Sequence, residues 1–301
     1  MSQLPLPKKV RIGLDGSDVA PIAWGMWRFA GRSREEGAAL VHAALDAGIG
    51  LFDTADIYGF NGSGGFGDAE ALLGEVFAAE PGLRQRMVLA SKGGIRPPLP
   101  YDQSAAYLAE AIDASLRRLQ VEKIDLWQIH RPDILAHPLE VARALDKARS
   151  AGKIGQVGVS NFTQIQIGAL ASFLGHPLAT TQPEISPLRI VCFENGELDQ
   201  AMALGLTPLA WSPLGGGRLA YPQDARSIAV AAALDGVAQD RAVSRSVAAY
   251  SWLMAHPAGI VPIVGSQQPE RIAEAAQALT VRWTREEWYE VLIAARGEPL
   301  P

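Results

Sequence analysis

Three apolar runs in this chain each stop at a side chain able to do chemistry. IGLF is followed by Asp53, VLAS by Lys92 and IDLWQI by His130, and Tyr58 lies just past Asp53. A buried strand that ends in a polar group places that group at the strand's C-terminal mouth. Together the four residues supply a carboxylate, an ammonium, an imidazole and a phenol, a set suited to polarising a carbonyl and protonating its oxygen. Tyr58 is the candidate general acid, although a free phenol of pKa ~10 gives up its proton reluctantly at neutral pH. A neighbouring Lys92 ammonium favours the phenolate and is expected to lower that pKa. Asp53 would keep Lys92 charged, and His130 would hydrogen-bond a substrate carbonyl oxygen and orient it. None of the four supplies electrons, so a reductant must bind elsewhere on the same face.

Such a set needs a scaffold that gathers strand ends. Val10 to Ile12 and the residues from Val19 onward flank Asp15-Gly16 and predict a short N-terminal β-hairpin. From there, apolar strands alternate with amphipathic helices. The strands are Ile22–Trp24, Ile49–Asp53, Met87–Ser91, Ile124–Ile129, Gly155–Ser160, Leu178–Gln182, Thr207–Trp211 and Ile260–Val264. Ser33 with Glu36 makes a capping box for the first helix, and Gly48 stops it. After Thr207–Trp211 the sequence reads as a long loop leading to a helix near Ser244–His256. An extra C-terminal helix starts near Thr284, with Trp288 on its apolar side. Strands covered on both faces lose their alternation, which points to a parallel sheet. Eight such units predict an α/β fold, a (β/α)8 TIM barrel, as one domain over residues 1–301, with its site at the strand C-terminal ends.

Bulk properties narrow the function further. With 48% hydrophobic and 20% charged residues, the composition is that of an ordinary globular domain. A net charge of −5 and the lack of any dense Lys/Arg block argue against nucleic acid as a partner. No apolar run is long enough to span a bilayer, and MSQLPLPKKV lacks an apolar stretch, so no secretory signal is expected. Cys192 is the sole cysteine, so a cytoplasmic protein without disulfides is expected. The histidines show no metal-ligand spacing, so no metal is expected. Gly62, Gly64 and Gly67 fit the dinucleotide fingerprint, yet they do not directly follow a strand, and a flexible active-site loop is the better reading.

The segments FDTADIYG, ASK, IHRPD, GKIGQVGVSNF, LAWSPLGGG and IVGSQQPERIAEA, in this order from about Val10 to Leu279, resemble the aldo-keto reductase family. The resemblance implies a (β/α)8 barrel, a small-molecule carbonyl substrate and NADPH/NADP+ as cofactor. It implies a catalytic tetrad of Asp53, Tyr58, Lys92 and His130. It places Ser160, Asn161 and Gln182 on the nicotinamide carboxamide, with Trp211 stacked on the ring where tyrosine is commoner. Ser212, Leu214, Gly216 and Arg218 fall where the pyrophosphate would pass, Ser266 and Arg271 at the adenosine 2′-phosphate, and Glu274 at the adenine amine. Gly265 and Ala275 depart from the pattern, which implies weaker cofactor binding than in the tightest members.

Specificity is expected from Trp27, from loop Phe60–Gly67 and from Arg131 to Asp133. The five residues after Arg296 are too short for a long lid, so an open pocket and broad aldehyde activity are expected, in a monomer or weak homo-oligomer. Two other functions fit the same residues. The fold also serves as a cofactor-binding interaction subunit, against which the intact tetrad argues. A Schiff-base aldolase would use Lys92, but an adjacent carboxylate keeps a lysine charged and poorly nucleophilic.

Overall fold

A computed structural model describes residues 3–13 and 16–300. Strands β1 (Val10–Arg11) and β2 (Asp18–Val19) pair antiparallel as the predicted hairpin; Asp15 of its expected turn lies outside the described residues. The repeating units then follow. β3 (Ala23–Gly25) leads to α1 (Arg34–Asp46), and β4 (Leu51–Asp53) to α2 (Asp68–Ala79). β5 (Val88–Gly93) leads to α3 (Ala105–Leu119), and β6 (Ile124–Ile129) to α4 (Pro138–Ser150). β7 (Ile154–Ser160) precedes α5 (Gln164–Ala171), and β8 (Thr180–Gln182) precedes α6 (Glu197–Leu204). β9 (Thr207–Ala210) is followed by both α7 (Ala225–Asp240) and α8 (Arg245–Met254). β10 (Val261–Val264) and α9 (Pro269–Ala275) finish the barrel, and α10 (Arg285–Arg296) is the extra C-terminal helix.

Strands β3 to β10 close in sequence order into a fully parallel barrel, β10 pairing with β3. The fold is a (β/α)8 TIM barrel. Closure leaves no strand edge unpaired and brings all eight C-terminal ends to one face. Ser33 and Glu36 form the predicted capping box. Helix α7 corrects the long loop expected between Trp211 and Ser244. It has its own capping box, Asp224 with Ser227, and it buries Val230, Ala231, Leu234 and Val237. Its alanine-rich turns carry little contrast between faces, so the pattern in sequence shows an apolar run rather than a helix period.

Two apolar clusters sit on either side of the barrel wall. The inner one joins Leu51, Val88, Ala90, Leu126, Leu209 and Val261 to Ile12 and Val19 of the hairpin. Several of these residues open their strands, so the hairpin plugs the N-terminal end and leaves the opposite mouth free. The outer, larger cluster packs helices against the barrel.

Part of that outer layer is a tryptophan pair. Trp252 on α8 and Trp288 on α10 stack with centroids 4.9 Å apart and planes 13° apart. Each indole N–H donates to the other's backbone carbonyl at 3.0 Å. Trp283 lies in the segment just before Thr284, fully buried, where its N–H donates to Ser251 Oγ at 2.9 Å. Removing one member of the stacked pair empties a site with little freedom to collapse. Trp288→Ala is therefore expected to cost about 3–5 kcal/mol, read from the urea unfolding midpoint, and Trp288→Phe distinctly less. A loss below about 1 kcal/mol for Trp288→Ala would mean that α10 docks without this pair.

Candidate functional site

Strand register brings the sequence-predicted residues to one mouth. Asp53 ends β4, Lys92 sits on β5 beside Gln128 of β6, and His130 follows β6. Ser160 ends β7 opposite Gln182 at the end of β8, and Trp211 follows β9. Tyr58 lies on the loop after β4. Backbone hydrogen bonds pin that loop: Asp56 N–H donates to the Lys92 carbonyl at 2.9 Å, and Ala69 N–H donates to the Tyr58 carbonyl at 3.1 Å. Only glycine fits directly after Lys92. A Cβ on Gly93 would stand 2.6 Å from the Trp127 ring and 2.9 Å from Asp56 Oδ2.

The centre of the site is a buried ion pair. Lys92 Nζ donates to Asp53 Oδ2 at 2.7 Å and to the Thr54 carbonyl at 2.8 Å. Lys92 is fully buried and Asp53 is 2% exposed. Burial alone would discharge the lysine. The Asp53 charge and hydrogen bond, with Tyr58 beside them, outweigh it and hold Lys92 above the usual ammonium range. The second Asp53 oxygen accepts from Gln182 Nε2 at 3.0 Å and from Gln128 Nε2 at 3.3 Å. Gln128 Oε1 in turn accepts from Thr180 Oγ1 at 3.1 Å.

Lys92 Nζ lies 5.0 Å from the centroid of the Tyr58 ring, and His130 meets that ring edge-on at 5.8 Å. Burial raises Tyr58 above the ordinary phenol range, with Lys92 pulling the other way. The expected net lowering is thus reversed: lysine limits a rise that desolvation causes. His130 is pushed well below the usual imidazole range by burial, then by Lys92 and Arg131, and is neutral at physiological pH. Its Nδ1 is buried without a protein partner.

Beside this core lies the second group of predicted residues. Asn161 adopts a left-handed φ of 61°, which asparagine tolerates better than most residues. Its Nδ2 donates to Ser160 Oγ at 2.9 Å and to the His130 carbonyl at 3.2 Å, and its Oδ1 accepts from Trp211 Nε1 at 3.0 Å. Leu214 precedes the turn Gly215–Gly217, all three glycines having positive φ, and the Gly216 N–H donates to Ser212 Oγ at 2.9 Å. Arg218 pairs with Asp224 at 2.8 Å. Ser266 follows β10 and accepts from Trp24 Nε1 through its carbonyl at 2.9 Å. Arg271 and Glu274 stand on α9, Arg271 exposed, and Ala275 is buried in the core. Asn61 Oδ1 accepts from Ser63 N–H and Gly64 N–H, and Gly67 caps the start of α2, but the preceding strand ends at Asp53, so the Gly62–Gly67 segment lacks the strand-to-helix turn of a fingerprint.

Sequence reasoning missed two parts of the site. Gln128 and Thr180 stand two residues before His130 and Gln182, hence on the same strand faces, and a polar residue at that offset is the signal that finds them. The other part is Asp56, fully buried with neither oxygen partnered. Burial, then the charge of Glu70, pushes its carboxyl well above the usual range. Glu70 itself accepts from Arg118 Nε at 2.8 Å and from Ser91 Oγ.

Comparison with known proteins agrees with this geometry. The sequence profile of the aldo/keto reductase family matches residues 21–295. A 6-dehydroglucose reductase from Novosphingobium aromaticivorans is 74% identical, covering 100% of both chains. A second 6-dehydroglucose reductase, from Agrobacterium fabrum, is 38% identical over 96% of this chain and 98% of its own. The crystal structure of an aldo/keto reductase from Klebsiella pneumoniae, in complex with NADP and acetate, superposes with a TM-score of 0.82 at 26% identity, covering 98% of each chain. On this profile match and these near full-length likenesses, the chain belongs to the aldo/keto reductase family of oxidoreductases.

Proposed function

We propose that the chain reduces an aldehyde to a primary alcohol with NADPH, using Tyr58 as general acid. The aldehyde proposed is the C6 carbonyl of 6-dehydroglucose, which is glucose with its C6 alcohol oxidised. The observation carrying the reductase reading is the mouth itself: a phenol beside a buried, protonated lysine and a neutral imidazole. The likeness to relatives named 6-dehydroglucose reductase supports the substrate. A lysine held charged by Asp53 is a poor nucleophile, which counts against Schiff-base chemistry.

The residues present fit a nicotinamide cofactor. The Ser160 hydroxyl, Asn161 amide and Gln182 side chain gather at adjoining strand ends, next to the partly exposed Trp211 ring. NADPH, when bound, supplies the hydride. Asn161 and Ser160 would hold the carboxamide, and Trp211 would flank the ring. The Gly215–Gly217 turn would present backbone N–H groups to the pyrophosphate. His130 donates a hydrogen bond to the carbonyl oxygen and fixes its direction. Tyr58 delivers its hydroxyl proton to that oxygen, and Lys92 stabilises the phenolate left behind. Exposed Trp27 and the neighbouring Arg28, Phe60, Asn61 and Asp68 line an open recess of about 460 Å³, an aromatic face among polar groups that suits a sugar. NADPH oxidation with 6-dehydroglucose, set against simple aldehydes, ketones and intact sugars, tests the reading. Glucose as product is expected, and preference for an unrelated ketone would overturn the substrate.

Tyr58→Phe keeps the ring and removes the proton donor. Turnover should fall roughly 10²–10⁴-fold with NADPH affinity retained. Near-normal turnover in a folded variant would remove Tyr58 from its role.

The pH profile follows from the same charges. Reduction needs Tyr58 protonated, so kcat/KM should fall on the alkaline side as the phenol ionises. Lys92 pulls the Tyr58 pKa down, so Lys92→Met should move that limb to higher pH and slow reduction at neutrality. Profiles carried past the ordinary phenol range of about pH 10 decide this, and a limb moving to lower pH would exclude the charge effect.

Cofactor choice rests on Arg271 and Ser266, which would read the 2′-phosphate. Arg271→Ala should weaken NADPH binding by about 1.5–3 kcal/mol, the worth of a hydrogen bond to a charged group, and leave NADH nearly unchanged. Equal losses for the two cofactors would make Arg271 a support for its loop.

A further inference from the structure

The bond between Trp211 and Asn161 gives this chain a feature that ring stacking does not require. Trp211 Nε1 donates to Asn161 Oδ1 at 3.0 Å, across 50 residues of sequence. At its other end, the same amide donates from Nδ2 to Ser160 Oγ and to the His130 carbonyl. The Asn161 backbone is fixed as well, its N–H donating to the Gln182 carbonyl at 3.1 Å with φ at 61°. The side-chain amide and the backbone N–H of this residue therefore each have a set direction. Rotating the amide by half a turn would bring Oδ1 against the His130 carbonyl and Nδ2 against the indole N–H, two repulsive contacts in place of two bonds. The tyrosine commoner at the Trp211 position has a flat ring but no N–H within it.

We propose that Trp211 is a positioning residue whose indole N–H locks the Asn161 amide in the one orientation that meets the nicotinamide carboxamide, in addition to any contact its ring makes. This rests on the cofactor reading above. Asn161 Oδ1 has a second lone pair to receive the carboxamide NH2 while the indole N–H occupies the first. An amide already oriented has no rotational freedom to lose when cofactor arrives, so the hydrogen bond acts through preorganisation.

A double-mutant cycle with two ligands tests it. Calorimetric dissociation constants are measured for NADPH and for 2′-phospho-ADP-ribose, which lacks the nicotinamide. The proteins are the parent, Trp211→Phe, Asn161→Ala and the double variant. Trp211→Phe should weaken NADPH roughly 3–10-fold, the ordinary worth of one neutral hydrogen bond, and leave 2′-phospho-ADP-ribose unchanged. Retained binding of that truncated ligand also shows that each variant is folded. In the Asn161→Ala background, Trp211→Phe should add less than about 2-fold, because the indole has no amide to orient. Fully additive losses would overturn the proposal and leave only ring contact. Equal weakening of both ligands would overturn it in favour of general loop support. Asn161→Ala without effect on NADPH would instead sink the carboxamide assignment, and this inference with it.

Discussion

The Lys92–Asp53 pair is the constraint around which the mouth is arranged. A lysine with no exposed surface has to be either neutral or paired, since an isolated buried ammonium is too costly to keep. Asp53 pairs with it at 2.7 Å, but a lone carboxylate would still be left with an unpaired oxygen. Gln128 and Gln182 close that gap by donating to Oδ1, and Thr180 steadies Gln128. A buried ion pair becomes tolerable only when its remaining polar atoms are satisfied in this way. Strands β4, β5, β6 and β8 each contribute, so the pair ties together half the barrel wall. As a source of net stability it counts for little, since hydrophobic replacements of such pairs are often neutral or better. Breaking one partner is a different matter, because an uncompensated charge then stays buried.

A second closed pair, Glu70 with Arg118, lies behind the first, and Asp56 sits between them. Burial favours the neutral form of Asp56. Were it ionised, its charge would raise the phenol of Tyr58 further and compete with Asp53 for the lysine. A neutral Asp56 leaves Asp53 as the nearer carboxylate set against Lys92 at Tyr58. The neutrality of His130 has the same origin in part, since Lys92 disfavours a second cation beside it. One buried ammonium thus bears on a phenol on one side and an imidazole on the other, in each case second to burial.

Much of this was legible in the sequence, for reasons that can be stated. Asp53, Lys92 and His130 stand where apolar runs stop, and a parallel barrel turns strand ends into neighbours irrespective of the residues between them. The hairpin, the capping boxes at Ser33 and Thr284, and the barrel strands follow from local patterns alone. The partners of Asp53 were harder to see. Gln128 is only a polar residue in an apolar strand until the register sets it opposite Lys92. Glu70 and Arg118 lie 48 residues apart on different helices, and no local pattern joins them. Helix α7 was hidden because its faces differ too little in polarity. The rise in the Tyr58 pKa was missed because charge can be read from residue types, whereas the degree of desolvation comes only from packing.

Desolvation also explains why a reluctant acid is no handicap in this arrangement. A phenol whose pKa is raised by burial alone would hold its proton too firmly at neutral pH. A phenol lowered by an exposed lysine would be ionised too readily, and the charge effect would be screened by water and salt. Here Lys92 is fully buried and Tyr58 half-buried, so a charge 5.0 Å from the ring is screened less than at an exposed site. In the proposed reduction the proton would stay on Tyr58 until negative charge develops on a bound oxygen nearby. The phenolate left behind would then be stabilised by an ammonium already in place, with no water or side chain needing to reorganise. The buried pair holds that ammonium fixed, and the closed barrel holds the pair.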